Sequence, residues 1–214
     1  TMDFEKLKGI VDRIHSFGNI HQHLDLIAGL PYEDYDSFRH SFNDVYALKP
    51  QQLQLGFLKV LKGSHMMEMC REYGIVYKTQ EPYEVLSTKW LDYDHVLKLK
   101  TVENMVEVYY NSGQFQNTLE YLENFFQDAF SIYERLGSFY MEKVYGDVSH
   151  TRMRRYEILL EFLEDVPEIS MDQVKDQMVY DLYLRENLKS RPGFARDQKP
   201  FERQVWDFRN REKV

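Results

Sequence analysis

Cysteine is scarce in this sequence, and its scarcity excludes several kinds of site. Cys70 is the single cysteine among 214 residues. One chain therefore cannot form an internal disulfide framework, and it cannot by itself hold an iron–sulfur cluster or a structural zinc ion. Long apolar runs are also absent, because no segment approaches the roughly 20 residues that span a bilayer. We expect no signal peptide.

Positive charge is also in short supply. Lys and Arg number 27 against 35 Asp and Glu, which gives a net charge of −8. A protein that binds the phosphate groups of nucleic acids or anionic lipids needs an excess of Lys and Arg, and this chain has an excess of Asp and Glu. We therefore expect no nucleic-acid partner and no membrane partner. The composition, with 43% hydrophobic and 29% charged residues, is that of a globular protein. We expect a cytoplasmic location.

The first third of the chain alternates between helical and strand periodicity. Apolar residues at helical spacing predict helices over 3–17, 33–48 and 65–73. Strict alternation of apolar and polar residues predicts strands over 21–30 and 52–61. Helices and strands that alternate at short spacing predict a parallel α/β unit.

The rest of the chain is predicted to be mainly helical. Two short strands, 75–77 and 84–87, precede helices near 92–111, 115–144, 149–165 and 170–189. Trp206 and Phe208 suggest that the tail docks onto the fold. The predicted fold class is an α/β fragment, formed by the last βα units of a partial TIM-like barrel, followed by a mostly α-helical bundle domain.

Each predicted strand has one apolar face and one that begins polar. His21, His23 and Asp25 share a face of the first strand, and Gln52 and Gln54 share a face of the second. Polar side chains that face inward need hydrogen bonds or water. An open barrel with a wet interior satisfies this need, because helices then cover the apolar faces.

Two segments carry a resemblance to a known family. The segment 23–31, HLDLIAGLP, followed by Tyr32-Glu33-Asp34, resembles the fifth-strand signature of radical S-adenosylmethionine enzymes. The segment 54–63, QLGFLKVLKG, resembles their sixth strand. Together with residues 83–86, YEVL, these segments resemble cobalamin-binding members that carry a C-terminal helical domain of unknown function. Such proteins are often labelled anaerobic magnesium-protoporphyrin monomethyl ester oxidative cyclases.

The resemblance implies a division of the chain and a cofactor pocket. Residues 1–78 would be the C-terminal portion of the radical S-adenosylmethionine barrel, and 79–214 the helical domain of unknown function. The implied cofactor contacts are Ile27, Gly29 and Leu30 on the first strand, with Leu58 and Val60 on the second. In the family, Gly29 lets the backbone approach the adenine and Ile27 gives an apolar contact.

The parent enzyme would use S-adenosylmethionine, a [4Fe–4S] cluster and cobalamin on a small-molecule substrate. It would cleave S-adenosylmethionine reductively to a 5′-deoxyadenosyl radical, with an oxidative cyclase or methyltransferase outcome. The CxxxCxxC loop that holds the cluster, the glycine-rich segment and the cobalamin domain have no counterpart in this sequence. We therefore expect a C-terminal fragment that is catalytically silent alone and binds no cluster, cobalamin or metal. No catalytic residue is assigned.

The expected partners follow from the same interpretation. They are the rest of the parent polypeptide and, through an exposed barrel edge, a second copy of this chain. An incomplete parallel sheet leaves unpaired backbone groups, so we expect the C-terminal tail or a second copy to cover the α/β part.

Two other functions are compatible with the sequence. The chain could be an autonomous helical protein-interaction module whose α/β start only supports it. It could also be a metal hydrolase that uses His21, His23 and Asp25, although hydrogen-bonded lining of a barrel is the commoner role for such a triad. Cys70 has no neighbouring group that would activate it and is expected to be inert.

Overall fold

Helices and short strands alternate along the first unit of the structure. The computed structural model describes residues 3–186, 190–197 and 199–211. Its contacts define two compact units, Thr1–Ser149 and His150–Val214. The sequence predicts a domain boundary between residues 78 and 79 of the parent polypeptide, and that boundary stays a prediction. The first unit contains α1 (Phe4–His15), β1 (His23–Ala28), α2 (Tyr35–Ala47), β2 (Gln52–Phe57), α3 (His65–Tyr73), β3 (Val76–Tyr77), β4 (Val85–Ser87), α4 (Tyr93–Met105), α5 (Gln116–Leu122) and α6 (Ala129–Glu142).

Polar side chains fix where most of these helices begin. In each case a side-chain oxygen accepts a backbone N–H of the first turn, which satisfies one of the donors that a helix start leaves unpaired. Around α2 the bond is reciprocal, because Ser37 Oγ also accepts the N–H of Asp34 at 2.8 Å. The capping residues are Asp3, Asp34, Ser64, Asp92 and Asp128 in the first unit, and Thr151 and Ser170 in the second.

The two long strands form the predicted parallel pair. β1 and β2 run side by side with His23 opposite Gln52, Asp25 opposite Gln54 and Ile27 opposite Gly56. The strands are shorter than predicted: β1 ends before the turn at Gly29, and β2 ends at Phe57. β3 and β4 form a separate antiparallel pair. The described residues thus form an α/β part followed by helices, which agrees with the coarse fold class predicted from the sequence.

Helix α2 covers the apolar face of the pair. Four apolar residues at helical spacing on its inner side are all buried, as the periodicity over 33–48 implies: Phe38, Phe42, Val45 and Tyr46. The Phe42 ring meets the rings of Phe130 and Tyr133 of α6 at centroid distances of 5.3 and 5.8 Å. The core of this unit is therefore rich in aromatic side chains, in keeping with the 15% aromatic residues of the sequence.

The outer edge of β2 is covered by the chain itself. A π-helix, Val106–Asn111, follows α4 and places Asn111 beside this edge. The N–H of Leu53 donates to Asn111 Oδ1 at 2.9 Å, and Asn111 Nδ2 donates to the Leu53 carbonyl at 3.0 Å. Further along, Val85 N–H donates to the Leu58 carbonyl, and Val60 N–H donates to the Tyr83 carbonyl. On this side the cover comes from residues 83–85 and 111. Cover of the rest of the α/β part by the tail or by a second copy stays a prediction.

The single helix predicted over 115–144 is wrong. The chain forms two helices there, α5 and α6, with turns between them. The break is stabilised by its neighbours: Asp128 caps α6 and also accepts two hydrogen bonds from Arg39, and Asn43 Oδ1 accepts the N–H of Phe130 at 2.9 Å. Capping and contacts with α2 outweigh the apolar periodicity that predicted one continuous helix.

The second unit is helical. It contains α7 (Arg152–Leu163), α8 (Met171–Arg185) and α9 (Glu202–Arg211). Part of the tail docks as predicted: the Phe194 ring stacks on the Tyr156 ring at 5.8 Å, and Arg196 donates to Asp176 of α8 at 2.7 Å. The Trp206 side chain is 66% exposed and does not take part, and the side chain of Phe208 lies outside the described part. Within 3–186, 190–197 and 199–211, no helix is both long and apolar enough to cross a bilayer.

Candidate ligand site on the open sheet face

The two faces of the β1–β2 pair differ in burial. Leu53, Leu55 and Ala28 are buried on the face that α2 covers. On the opposite face His23, Asp25 and Gln54 are exposed, and so is Ile27, at 47%. The alternation read from the sequence is confirmed, and it leaves a mixed polar and apolar face open to solvent.

A cavity of about 370 Å³ lies on this open face. It contains two of the predicted cofactor contacts, Ile27 and Leu58, which come from different strands. The parallel register brings them together, because the N–H of Leu58 donates to the Ala28 carbonyl at 2.9 Å. The cavity is lined by Asp25, Leu26, Ile27, Gln54, Gly56, Phe57, Leu58 and Lys59.

Gly56 shapes the floor of this cavity. It lies directly opposite Ile27 in the strand register. A Cβ atom at this position would find only the Leu26 carbonyl oxygen within 4 Å, at 3.6 Å. The glycine is therefore not required by internal packing, and its missing side chain leaves a flat apolar surface beside Ile27.

Polar groups stand at one end of the same cavity. Asp25 and Gln54 are opposite one another in the register and both are exposed. His23 Nε2 lies 2.9 Å from Asp25 Oδ1. A carboxylate and an amide side by side can accept hydrogen bonds from hydroxyl or amino groups of a ligand. The apolar floor and the polar end together suit a small ligand with a flat ring and attached polar groups.

The other three predicted contacts lie outside the cavity lining. Val60 is 1% exposed and packs in the core. Leu30 is partly exposed beyond the end of β1. Gly29 has φ +87°, and a Cβ there would lie 2.8 Å from Val85 Cγ1. Gly29 is thus required by the turn and by the close approach of Val85, whichever ligand binds nearby.

Sequence reasoning did not include Gly56 or Lys59 among the candidate contacts. The signal for Gly56 was a glycine within an otherwise apolar strand, which often marks a close approach of a ligand or backbone. The residue opposite Gly56 depends on the strand register, which places Ile27 there. Lys59 faces the cavity because β2 continues as extended chain to its bridge with Glu84.

The histidine triad is only partly assembled. His23 and Asp25 are paired, whereas His21 is not part of that pair. The described residues contain no group of three His, Cys, Asp or Glu side chains placed to hold a metal ion.

Cys70 has the surroundings of an unreactive thiol. Its Sγ donates to the Met66 carbonyl one helical turn earlier, at 3.3 Å. Burial raises the pKa of the Cys70 thiol, which disfavours the thiolate.

Two further cavities lie elsewhere in the first unit. One, of about 400 Å³, lies near the start of β2, where Glu123 already accepts hydrogen bonds from Tyr46 and Lys49. The other, of about 540 Å³, lies between α4 and α6 and is mainly apolar, with Leu97 and Met141 in its wall. Neither contains a predicted contact.

Comparison with known proteins identifies a family but not an activity. Residues 71–214 match the model of a protein family of unknown function, DUF4080. No curated protein matches the chain. The DUF4080 domain is found in cobalamin radical S-adenosylmethionine proteins. Because the match covers more than half of the sequence, the chain belongs to the DUF4080 family.

Proposed function

We propose that this chain is the C-terminal part of a cobalamin-dependent radical S-adenosylmethionine enzyme, of oxidative cyclase or methyltransferase type. Its first unit would supply two strands of a partial barrel and part of the S-adenosylmethionine site. The observation that carries the proposal is the shared cavity of Ile27 and Leu58. The occurrence of the DUF4080 domain in such proteins supports the same assignment.

The residues of the cavity fit the adenosyl end of the cofactor. A planar base needs a flat apolar contact, which Ile27, Leu58 and the bare backbone of Gly56 provide. Asp25 and Gln54 can accept hydrogen bonds from hydroxyl or amino groups. The cofactor would supply the reactive sulfonium group, and the role of this chain is to hold and orient the adenosyl end.

The residues of this chain do not fit an iron–sulfur cluster. A cluster needs several cysteine thiolates, whereas the chain offers only Cys70. Cluster ligands and a cobalamin site would therefore come from other parts of the parent enzyme. The chain alone is expected to bind S-adenosylmethionine weakly.

The proposal is tested by titrating the isotope-labelled chain with millimolar S-adenosylmethionine and following its amide resonances. We expect saturable shifts within 25–27 and 54–59. Gly56→Leu would fill the floor of the cavity, and overpacking of this kind costs about 1–3 kcal/mol, or roughly a 5–150-fold loss of affinity.

The matched control is Gly9→Leu, because Gly9 has no neighbouring atom within 4 Å and lies on α1. This variant is expected to keep the wild-type affinity. Equal affinity of the Gly56→Leu and Gly9→Leu chains, or shifts confined to another cavity, would contradict the proposed site.

A further inference from the structure

The cavity of about 400 Å³ near the start of β2 already holds a positive charge of the protein itself. The Lys49 ammonium lies 4.5 Å from the centroid of the Tyr46 ring and donates to Glu123 Oε1 at 2.5 Å. An aromatic face and a carboxylate are the two groups by which proteins commonly bind the ammonium group of a ligand. The position of Lys49 therefore shows which kind of group the walls of this cavity suit.

The walls around the ammonium are held in place by contacts within the first unit. The Tyr46 side chain is 4% exposed, and its hydroxyl donates to Glu123 Oε1 at 2.8 Å and accepts from the Tyr133 hydroxyl at 3.4 Å. Burial raises the pKa of Tyr46, so its hydroxyl stays protonated and remains a donor to Glu123. The Tyr110 ring lies 5.2 Å from the Tyr46 ring, centroid to centroid, and its hydroxyl donates to the Pro50 carbonyl at 2.5 Å. The aromatic ring and the carboxylate are thus preorganised.

Lys49 is held less firmly than these walls. Its side chain is 49% exposed, and that of Glu123 is 30% exposed. An ion pair with this much exposure contributes little, because water competes for both charges and a long side chain loses freedom when it is fixed. The Lys49 ammonium can therefore leave Glu123 for solvent when another cation takes its place.

The cavity has the charge and the room for an external cation. Two carboxylates, those of Glu120 and Glu123, line it together with one lysine, Lys49, and one histidine, His15. Glu120 is exposed and has no ion-pair partner among the residues that the structure describes. Leu119, which is 4% exposed, adds an apolar wall, and the volume is within the range of small-molecule sites. With the Lys49 ammonium in solvent, the cavity would carry an excess of negative charge beside apolar surface.

We infer that this cavity binds a small primary amine, whose ammonium group replaces that of Lys49 over the Tyr46 ring and against Glu123. The alkyl part of the amine would lie along Leu119 and Tyr110. Lys49 then acts as an internal competitor, because its ammonium and that of the amine use the same two groups. The cavity shares no lining residue with the cavity on the open sheet face, so the inference holds whether or not that face binds S-adenosylmethionine.

The test is a titration of the isotope-labelled chain with butylamine hydrochloride at fixed pH and ionic strength, followed by NMR. Butan-1-ol is the control compound, because it has a similar shape and no charge. Butylamine is expected to give saturable shifts of the amides within 46–51 and 119–123, with a dissociation constant on the order of millimolar. Butan-1-ol at the same concentrations is expected to leave these resonances unchanged.

A matched pair of lysine variants tests the competition. Lys49→Met removes the ammonium and keeps a long side chain, and it should strengthen butylamine binding about two- to fivefold. Lys62→Met is the control, because the Lys62 ammonium also lies near a tyrosine ring, at 5.3 Å from the centroid of Tyr83, but outside this cavity. Both variants lose one positive charge, so a general effect of net charge would appear in both. A purely structural role of Lys49 would not strengthen binding.

A second pair of variants tests the carboxylate. Glu123→Gln should weaken butylamine binding by roughly tenfold or more, because it removes the charged acceptor. Glu142→Gln, at the exposed end of α6, removes the same charge away from the cavity and should leave binding unchanged. Should Glu123→Gln fail to fold, the two lysine variants decide.

Four outcomes would overturn the inference. They are equal shifts with butylamine and butan-1-ol, shifts confined to residues outside the cavity lining, equal affinity of the two folded glutamine variants, and an affinity of Lys49→Met no higher than that of Lys62→Met.

Discussion

Gly29 combines two constraints that can be separated by substitution. Its φ of +87° is costly for any L-residue with a side chain, by about 1–2 kcal/mol. A Cβ would also lie 2.8 Å from the buried Val85. Gly63 shares the first constraint, at φ +75°, but has open space around it.

Gly29→Ala is therefore expected to lower the free energy of unfolding more than Gly63→Ala. The Gly63 variant should lose about 1–2 kcal/mol, and the Gly29 variant about 1–3 kcal/mol more because of the contact with Val85. Urea denaturation of the two variants measures the difference. Equal losses would show that the Val85 side chain moves away from the new Cβ atom with no loss of stability.

Tyr32 holds a backbone conformation that is unusual for an aromatic residue. Its φ is +69°, and its ring lies 4.6 Å from the Trp90 ring and 5.8 Å from the Tyr73 ring, centroid to centroid. Since Tyr32→Ala and Tyr32→Gly both lose these contacts, they differ mainly in backbone preference. We expect the glycine variant to be the more stable by about 1 kcal/mol. Thermal unfolding that ranks alanine above glycine would contradict this.

At the scale of elements, the sequence predicted what depends on local periodicity. The parallel α/β order follows from the alternation of helical and strand periodicity, and the structure confirms it. The buried face of α2 follows from the helical spacing of Phe38, Phe42 and Val45, which are all buried. The break between α5 and α6 could not be predicted in this way. It depends on contacts of Asp128 with Arg39, a residue 89 positions earlier in the chain.

The candidate site likewise depends on contacts that local periodicity does not predict. Ile27 and Leu58 were placed in one pocket from a resemblance, and the structure brings them together. The pairing of Ile27 with Gly56 depends on the strand register. Val60 is buried where its N–H donates to the Tyr83 carbonyl, a contact between distant parts of the chain. Alternation fixes the face of a residue, whereas its neighbour across the strands depends on tertiary structure.

The pairing of Asn111 with the edge of β2 gives a prediction about that edge. Asn111→Ala removes an acceptor and a donor from Leu53, whose side chain is fully buried. We expect a loss of about 1–3 kcal/mol in the free energy of unfolding. Hydrogen exchange at the Leu53 amide should become faster in the same variant. An unchanged exchange rate would mean that other groups protect this edge.

At the scale of the whole first unit, one carboxylate links α2 and α6. Burial alone would raise the pKa of Asp128, but hydrogen bonds from Arg39 and Ser131 outweigh this and hold the pKa below its ordinary value. Because the folded pKa is the lower one, the stabilisation is fully present above the ordinary Asp range and is lost as pH falls through the folded value.

Acid titration of the free energy of unfolding should therefore show a steeper fall in the wild type than in Asp128→Asn. The variant should be less stable at neutral pH, and its deficit should shrink as the solution becomes acidic. Circular dichroism during urea denaturation at a series of pH values measures both. A deficit independent of pH would show that the Asp128 pKa is the same in the folded and unfolded chain.

We propose that the open face of the β1–β2 pair holds an adenosyl group. The most direct measurement is the set of nuclear Overhauser effects between the adenine protons of S-adenosylmethionine and methyl groups of the chain. We expect contacts with the methyl groups of Ile27 and Leu58, which line the cavity together. Contacts to other methyl groups without these two, such as those of Leu97 or Met141 in the groove between α4 and α6, would contradict it.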